Sequence, residues 1–233
     1  LSAVTHPRFA PRRSTRSAPW WSKAWSRAVE EAAYHLTDLR TGRALARGGH
    51  VGALTLDRGS LFAAVQQGDD AWTVQIAMPT LSGEGIATFV ELVAAESGRI
   101  ARLLDGDLPH QLVEDAEDAG VELLPYGGEL SAECSCEAWA QPCVHGLAVL
   151  TQFTWLIDDD ALALLHLRGL PREELLAQLH ARQVQSAETE PQSAEGGADP
   201  ELLADVDVGV DAALRAARVL ELLEEGADVD HLL

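Results

Sequence analysis

Cysteine is scarce in this chain and confined to one place: three residues in 233, Cys134, Cys136 and Cys143, all within ten positions. Cys134 and Cys136 are too close for an ordinary bridge, and an odd count leaves one thiol over. A secreted disulfide scaffold is therefore not expected, and a reducing, cytoplasmic setting fits better. No run of about 18 apolar residues free of charge occurs, so no membrane-spanning helix is predicted. The basic start has no continuous apolar core and does not read as a signal peptide. The phosphate-loop pattern Gly-x-x-x-x-Gly-Lys-[Ser/Thr] is missing, and with it the usual means of nucleotide hydrolysis.

Positive charge is also scarce over most of the length. The net charge is -20, yet residues 1–60 hold ten Arg or Lys against four acids, and the remainder seven against thirty-three. Groups able to neutralise phosphates are concentrated in the first quarter, and the bulk repels a nucleic-acid backbone. Contacts with DNA or RNA, if made, are expected from Arg8, Arg12, Arg13, Arg16, Lys23, Arg27, Arg40, Arg43, Arg47 and Arg58. Trp20, Trp21 and Trp25 follow this basic arm and offer rings for base stacking. At their spacing, packing of an N-terminal helix onto a core is the more usual role.

An apolar fraction of 47% is enough for a real core. Residues 1–19, rich in Arg, Pro and Ser, read as a flexible arm. Ser22 to His35 reads as a helix capped by Ser22. Residues 43–79 read as an antiparallel meander, with strands at 51–56, 61–65 and 72–76 and turns at Asp57-Arg58-Gly59 and Gly68-Asp69-Asp70. One helix is expected over 84–104 and a shorter one up to Ala119, with Gly120 as its stop. Val121–Leu124 and Leu130–Glu133 read as a hairpin, followed by a helix from Val144 to Ile157. Asp158 to Asp160 end that helix and cap the next, and a further helix spans 172–180. Residues 184–200 read as a linker and 201–233 as an acidic C-terminal helix. The expected fold class is α+β: a small antiparallel meander plus helices and a helical C-terminal region. Boundaries fall at an α+β domain 20–120, a metal-binding segment 121–158 and a helical extension 159–183.

The densest chemical signal is Cys134-x-Cys136-x6-Cys143-x-His145, four sulfur and nitrogen donors in twelve residues. Zinc favours tetrahedral coordination by such donors. In an extended Cys-x-Cys both side chains point to one face, and six residues suffice to turn the chain back. The Cys-x-His pair then sits at a helix start, where unpaired backbone N–H groups offset thiolate charge. One Zn(2+) per chain is expected, and four protein ligands leave no open position for catalytic water, so a structural role is expected and no enzyme activity. An iron–sulfur cluster, a redox dithiol and a Cys–His nucleophile are weaker readings of the same residues, the last because no third group orients the pair. Trp139, between the ligand pairs, is expected to cover the metal. Asp158 to Asp160 suit capping better than cation binding, and His35, His50, His110, His166 and His180 have no partner at ligand spacing.

The ligand pattern resembles the SWIM-type zinc finger, Cys-x-Cys, a variable spacer, then Cys-x-His. The Trp25 helix, Gly42-Arg43-Ala44 through Gly49-x-Val51, Val65-Gln66, Gly120-Val121-x-Leu123-Leu124-Pro125, Pro142-Cys143-x-His145 and Leu167-Arg168-Gly169 extend the resemblance to bacterial SWIM proteins over residues 20–180. The resemblance implies an embedded ββα finger, all four ligands matching by position. It also implies protein or nucleic-acid contacts, and a role as companion of an Snf2-family helicase. One departure is Glu137, where that family often carries Pro. With Glu133 it makes the finger surface acidic. Two function classes follow: a non-enzymatic adaptor for a protein partner such as an Snf2-like ATPase, or a DNA- or RNA-binding protein that uses the basic N-terminal region.

Overall fold

A computed structural model of the chain describes residues 3–12 and 17–189, with side chains to residue 185. It has an α+β fold, eight helices and one open antiparallel sheet among the described residues. The sheet order is β1-β2-β3-β4-β5, so every neighbour in the sheet follows its predecessor in the chain. β1 is Val4–His6, β2 Leu54–Asp57, β3 Ser60–Gln67, β4 Asp70–Ala77 and β5 Ser131–Cys134.

The meander forms where alternation predicts it. In β3, Leu61, Ala63 and Val65 are buried and the residues between them exposed, and Val74 and Ile76 continue the buried face on β4. Gly59 and Gly68 close the two hairpins with φ of 69° and 65°, a region that non-glycine residues enter at a cost. Two expectations need correction. Val51 makes only an isolated bridge to Val65, so β2 starts three residues later. The supposed flexible arm contributes β1, whose Val4 to His6 pair with Leu56 to Leu54 and cover the edge of β2.

Helix α1 is Trp20–Ala32, preceded by Pro19, and α2 is Leu36–Arg47. Ser22 is therefore no cap: it lies inside α1, buried, with its hydroxyl unpartnered. α2 replaces what reads as the start of the meander. Its apolar face is small, Leu39, Gly42 and Ala46, and gives little periodic signal. The face is small because α2 lies close on α6, Val144–Asp159. A Cβ built on Gly42 would stand 2.8 Å from Leu147 Cβ and 2.9 Å from the Val144 carbonyl oxygen. Gly42→Ala is thus expected to cost about 1–3 kcal/mol of overpacking, more than the 1 kcal/mol or so that alanine returns in helix propensity. A thermal melt of the variant above that of the native chain would contradict this contact.

The single helix expected over 84–104 is two, α3 (Gly83–Ala94) and α4 (Ser97–Leu104), and Ser82 caps the first by accepting from Gly85 N–H at 3.0 Å. α5 is His110–Asp118. Residues 121–124 do not form the first strand of a hairpin. Their carbonyls are taken by the buried guanidinium of Arg168, which donates to Leu123 O at 3.1 Å and Glu122 O at 2.6 Å. Arg168 also donates to Pro79 O at 2.8 Å and pairs with Glu129 at 3.3 Å. β5 pairs instead with β4, Val74 opposite Cys134, so the ligand strand belongs to the main sheet.

α6 continues through Asp158 and Asp159, two residues past the expected end. Asp160 then accepts from Leu162 N–H at 2.9 Å at the start of α7, Leu162–Leu167. α8 runs from Arg172 to Thr189, nine residues beyond the expected end and into the supposed linker. The rest of the linker and the acidic helix 201–233 lie outside the described residues. Residues up to 182 form one compact unit, so the segments read as 20–120, 121–158 and all but the last residue of 159–183 share it. Its core joins the sheet to α6 and α7 through Trp25, Leu56, Ile76, Phe89, Leu147 and Phe153, all fully buried. No described helix is long and apolar enough to cross a membrane.

Candidate metal centre

The end of β5 delivers the first ligand. Beyond Cys134 the ladder continues by one step, with Ser135 N–H donating to Thr73 O at 3.0 Å and Thr73 N–H to the Ser135 hydroxyl at 2.9 Å. The chain then turns sharply, Glu137 N–H donating to Cys134 O at 3.1 Å with Glu137 at φ 52°. Proline, whose ring holds φ near -65°, cannot take that conformation, so Glu137 in place of Pro goes with this particular turn. Gln141 clamps the remaining loop: its amide donates to Ala138 O at 3.1 Å, and its oxygen accepts from Cys143 N–H at 3.1 Å. Cys143 is the N-cap residue of α6, and His145 lies in the first turn of that helix.

These elements bring all four ligand atoms within 4.8 Å of one another. Cys134 Sγ is 3.6 Å from His145 Nδ1, Cys136 Sγ 3.6 Å from Cys143 Sγ, and Cys143 Sγ 3.8 Å from His145 Nδ1. A tetrahedral ion with bonds of about 2.0–2.3 Å to nitrogen and sulfur has edges of about 3.3–3.8 Å, so the cluster has the size to hold a metal. No disulfide joins the three thiols.

The electrostatics keep the ligands neutral until a metal displaces the thiol protons. Burial pushes the Cys134 thiol up to about 12, and burial likewise raises Cys143 although the Gly146 and His145 backbone N–H groups oppose it. Without a cation the pair stays protonated at neutral pH. Burial lowers His145, which keeps its imidazole neutral and able to coordinate. With Nδ1 facing the sulfurs, Nε2 carries the hydrogen and donates to Gln67 Oε1 at 2.7 Å. That bond fixes tautomer and ring orientation, as outer hydrogen bonds to metal-bound histidines do. Gln67→Ala is expected to weaken metal affinity about 10–100-fold with little change in the fold; a competition titration against a chromophoric chelator reads it. Unchanged affinity would remove Gln67 from the site.

Trp139 does not cover the ligands. It is 79% exposed, its ring 5.1 Å from Tyr34 and 6.2 Å from His35. The covering ring is Trp72 of β4, stacked on His145 at 5.7 Å and an interplanar angle of 29°. Alternation marks Trp72 as one residue of a half-buried strand and Gln67 as a strand end, and no local pattern connects either with a loop nearly seventy residues downstream.

The eight described cations of the basic region are distributed rather than gathered on one face. Arg13 and Arg16 lie outside the described residues. Arg8 donates to Gly49 O, and Arg58 pairs with Glu174 at 2.5 Å and donates to Gly169 O at 3.2 Å. Lys23 and Arg27 line a groove shared with Glu31, Glu117 and Glu122, and Arg40 is exposed on α2. Arg12, Arg43 and Arg47 converge on one pocket. Trp21 and Trp25 are buried, their indole N–H groups donating to Ile157 O at 2.7 Å and Leu150 O at 3.3 Å. Trp20 is half-buried and donates to Leu108 O at 3.0 Å, so these tryptophans hold α1 to the core.

No family model matches the chain, and no solved structure matches it. It is 34% identical over 194 residues to the "Uncharacterized protein Rv2102" of Mycobacterium tuberculosis (strain ATCC 25618 / H37Rv), an alignment that covers 81% of this chain and 69% of the relative. At that identity and coverage, the chain with this Cys3His cluster belongs to the family of the mycobacterial protein Rv2102.

Proposed function

We infer that the chain is a zinc-binding interaction module of the SWIM type, a non-enzymatic adaptor that acts in the cytoplasm and whose partner is a protein such as an Snf2-like ATPase. The observation that carries this reading is the convergence of three thiols and one imidazole within 4.8 Å at a strand end and a helix start. Sulfur-rich tetrahedral donor sets suit zinc, and a set complete with four protein ligands suits a structural ion. The adaptor part is supported by what the loop presents to solvent. Trp139 and Tyr34, their rings in contact, are 79% and 65% exposed beside the cluster, with Asp38 and Cys136 lining the adjacent hollow. Large exposed apolar side chains grouped in one place mark interaction sites. The acidic side chains Glu133 and Glu137 suit a basic partner surface.

Elemental analysis of purified chain is expected to give one zinc per molecule; iron with an absorbing chromophore would replace zinc in this reading. Co-purification with a candidate Snf2-like ATPase tests the adaptor role. Retention is expected for the native chain and loss for Trp139→Ala, a variant that keeps its zinc. An ATPase that binds neither chain, or both equally, overturns the assignment of partner or surface.

A further inference from the structure

Away from the metal, α1, α2 and α6 enclose a pocket of about 330 Å³, within the range of small-ligand sites. Three of the seventeen basic residues of a chain with net charge -20 meet there, Arg12, Arg43 and Arg47. Arg12 and Arg43 are held in place by side-chain contacts. The Arg12 guanidinium lies 4.7 Å from the Trp155 ring centre and 5.1 Å from that of Phe9, and its backbone N–H donates to Arg47 O at 3.0 Å. Arg43 and Arg47 are four residues apart on α2 and so share a face, where like charges repel. Glu30 compensates Arg43 at 2.5 Å, and Arg47 has no side-chain partner among the described residues.

The α6 side has the opposite character. Thr151 and Thr154 spend their hydroxyl hydrogens on Leu147 O and Leu150 O, which leaves oxygen lone pairs. Asp158 lines the pocket and is half-buried, its Oδ1 covered and without a hydrogen-bond partner. It stands in the last turn of α6, where the helix dipole disfavours a carboxylate, so a donor that reaches the accessible part of the group is favoured. Guanidiniums from α2 and the N-terminal segment together with acceptors from α6 ask for a ligand that carries both a phosphate and N–H groups.

We propose that this pocket binds a nucleotide unit, the phosphate on Arg43 and Arg47 and the amino group of its base on Asp158. The site is independent of the metal reading. It reduces a diffuse basic region to one place and one chemistry, which a free mononucleotide and a residue of a single strand share. Planar, bidentate arginine contacts suit phosphate oxygens, and Trp155 gives the base an apolar wall.

Calorimetric titration of the metal-loaded full chain at low salt, with AMP, inorganic pyrophosphate and a single-stranded oligodeoxyadenylate, tests this. AMP or the oligonucleotide is expected to saturate one site and to bind more tightly than pyrophosphate. Arg47→Gln, at an exposed position, should weaken binding about tenfold with an unchanged melt. Asp158→Leu should remove the preference over pyrophosphate. AMP binding that a strand does not improve identifies a free nucleotide; binding by the strand alone, with steep salt dependence, identifies nucleic acid. Either supports the proposal. No heat from any probe, equal affinity for AMP and pyrophosphate, or native affinity in Arg47→Gln overturns it.

Discussion

Stripping the metal is expected to lower the stability of the chain by about 4 kcal/mol relative to protein held at free metal a thousandfold above its dissociation constant. For a domain of this size that is a fall in Tm of about 8–16 °C. The loss should be local. α6 buries Leu147 to Leu150, Gln152, Phe153, Leu156 and Ile157 in the core, so it keeps its packing, and the loop from Cys136 to Cys143 loses its organising centre. Cys136→Ser should melt with the chelated chain and bind no metal. Coincident melts of native and chelated protein would show that the cluster holds nothing that matters to folding.

The pH dependences of the two forms have opposite signs. Metal binding must expel protons from thiols that burial holds protonated, so affinity falls as pH falls. In the metal-free chain Cys134 has a folded pKa near 12, raised from 9.0, and a raised pKa contributes stability that is fully present below the unfolded value. That contribution is lost as pH climbs from about 9 towards 12. Melting curves of both forms from pH 6 to 10 should therefore diverge with rising pH. Convergence on the alkaline side would contradict the burial of Cys134.

Arg168→Leu is expected to cost about 3–5 kcal/mol, the usual effect of removing one partner from a buried charged network. Its guanidinium serves Leu123 O, Glu122 O, Pro79 O and Glu129, and leucine returns apolar contact but leaves those acceptors unpaired. Arg102→Ala, which breaks an exposed pair with Asp107 at 2.5 Å, is the control and should stay within about 1 kcal/mol. Urea unfolding of both variants reads the difference. Equal, small effects would mean that water satisfies the Arg168 partners and that residues 121–124 do not depend on it.

The expected hairpin over 121–133 fails for the same reason. Val121 and Leu123 are apolar and flank Glu122, a short apolar run that reads locally as a strand. Both are buried, yet the carbonyls of 122 and 123 are engaged by a side chain more than forty residues downstream. α2 was hidden for a complementary reason: a helix whose close approach to α6 requires Gly42 has little apolar surface by which to announce itself. The meander was legible because its turns and its alternation lie within about twenty-five residues.

The same distinction separates the metal ligands from what surrounds them. Cys134, Cys136, Cys143 and His145 lie within twelve residues, so donor chemistry and spacing alone determined the cluster. Everything that orients it arrives through the sheet. Gln67 reaches Nε2 of His145, Trp72 covers its ring, and β4 takes the place of the expected hairpin strand. The sequence likewise determined that positive charge lies in the first sixty residues, and only the packing of α2 on α6 decided that Arg12, Arg43 and Arg47 meet beside Asp158. Ligand type and turn propensity are local properties that a short window carries. A hydrogen-bond partner or a pocket wall is a property of two segments, and it exists only once the core has brought them together.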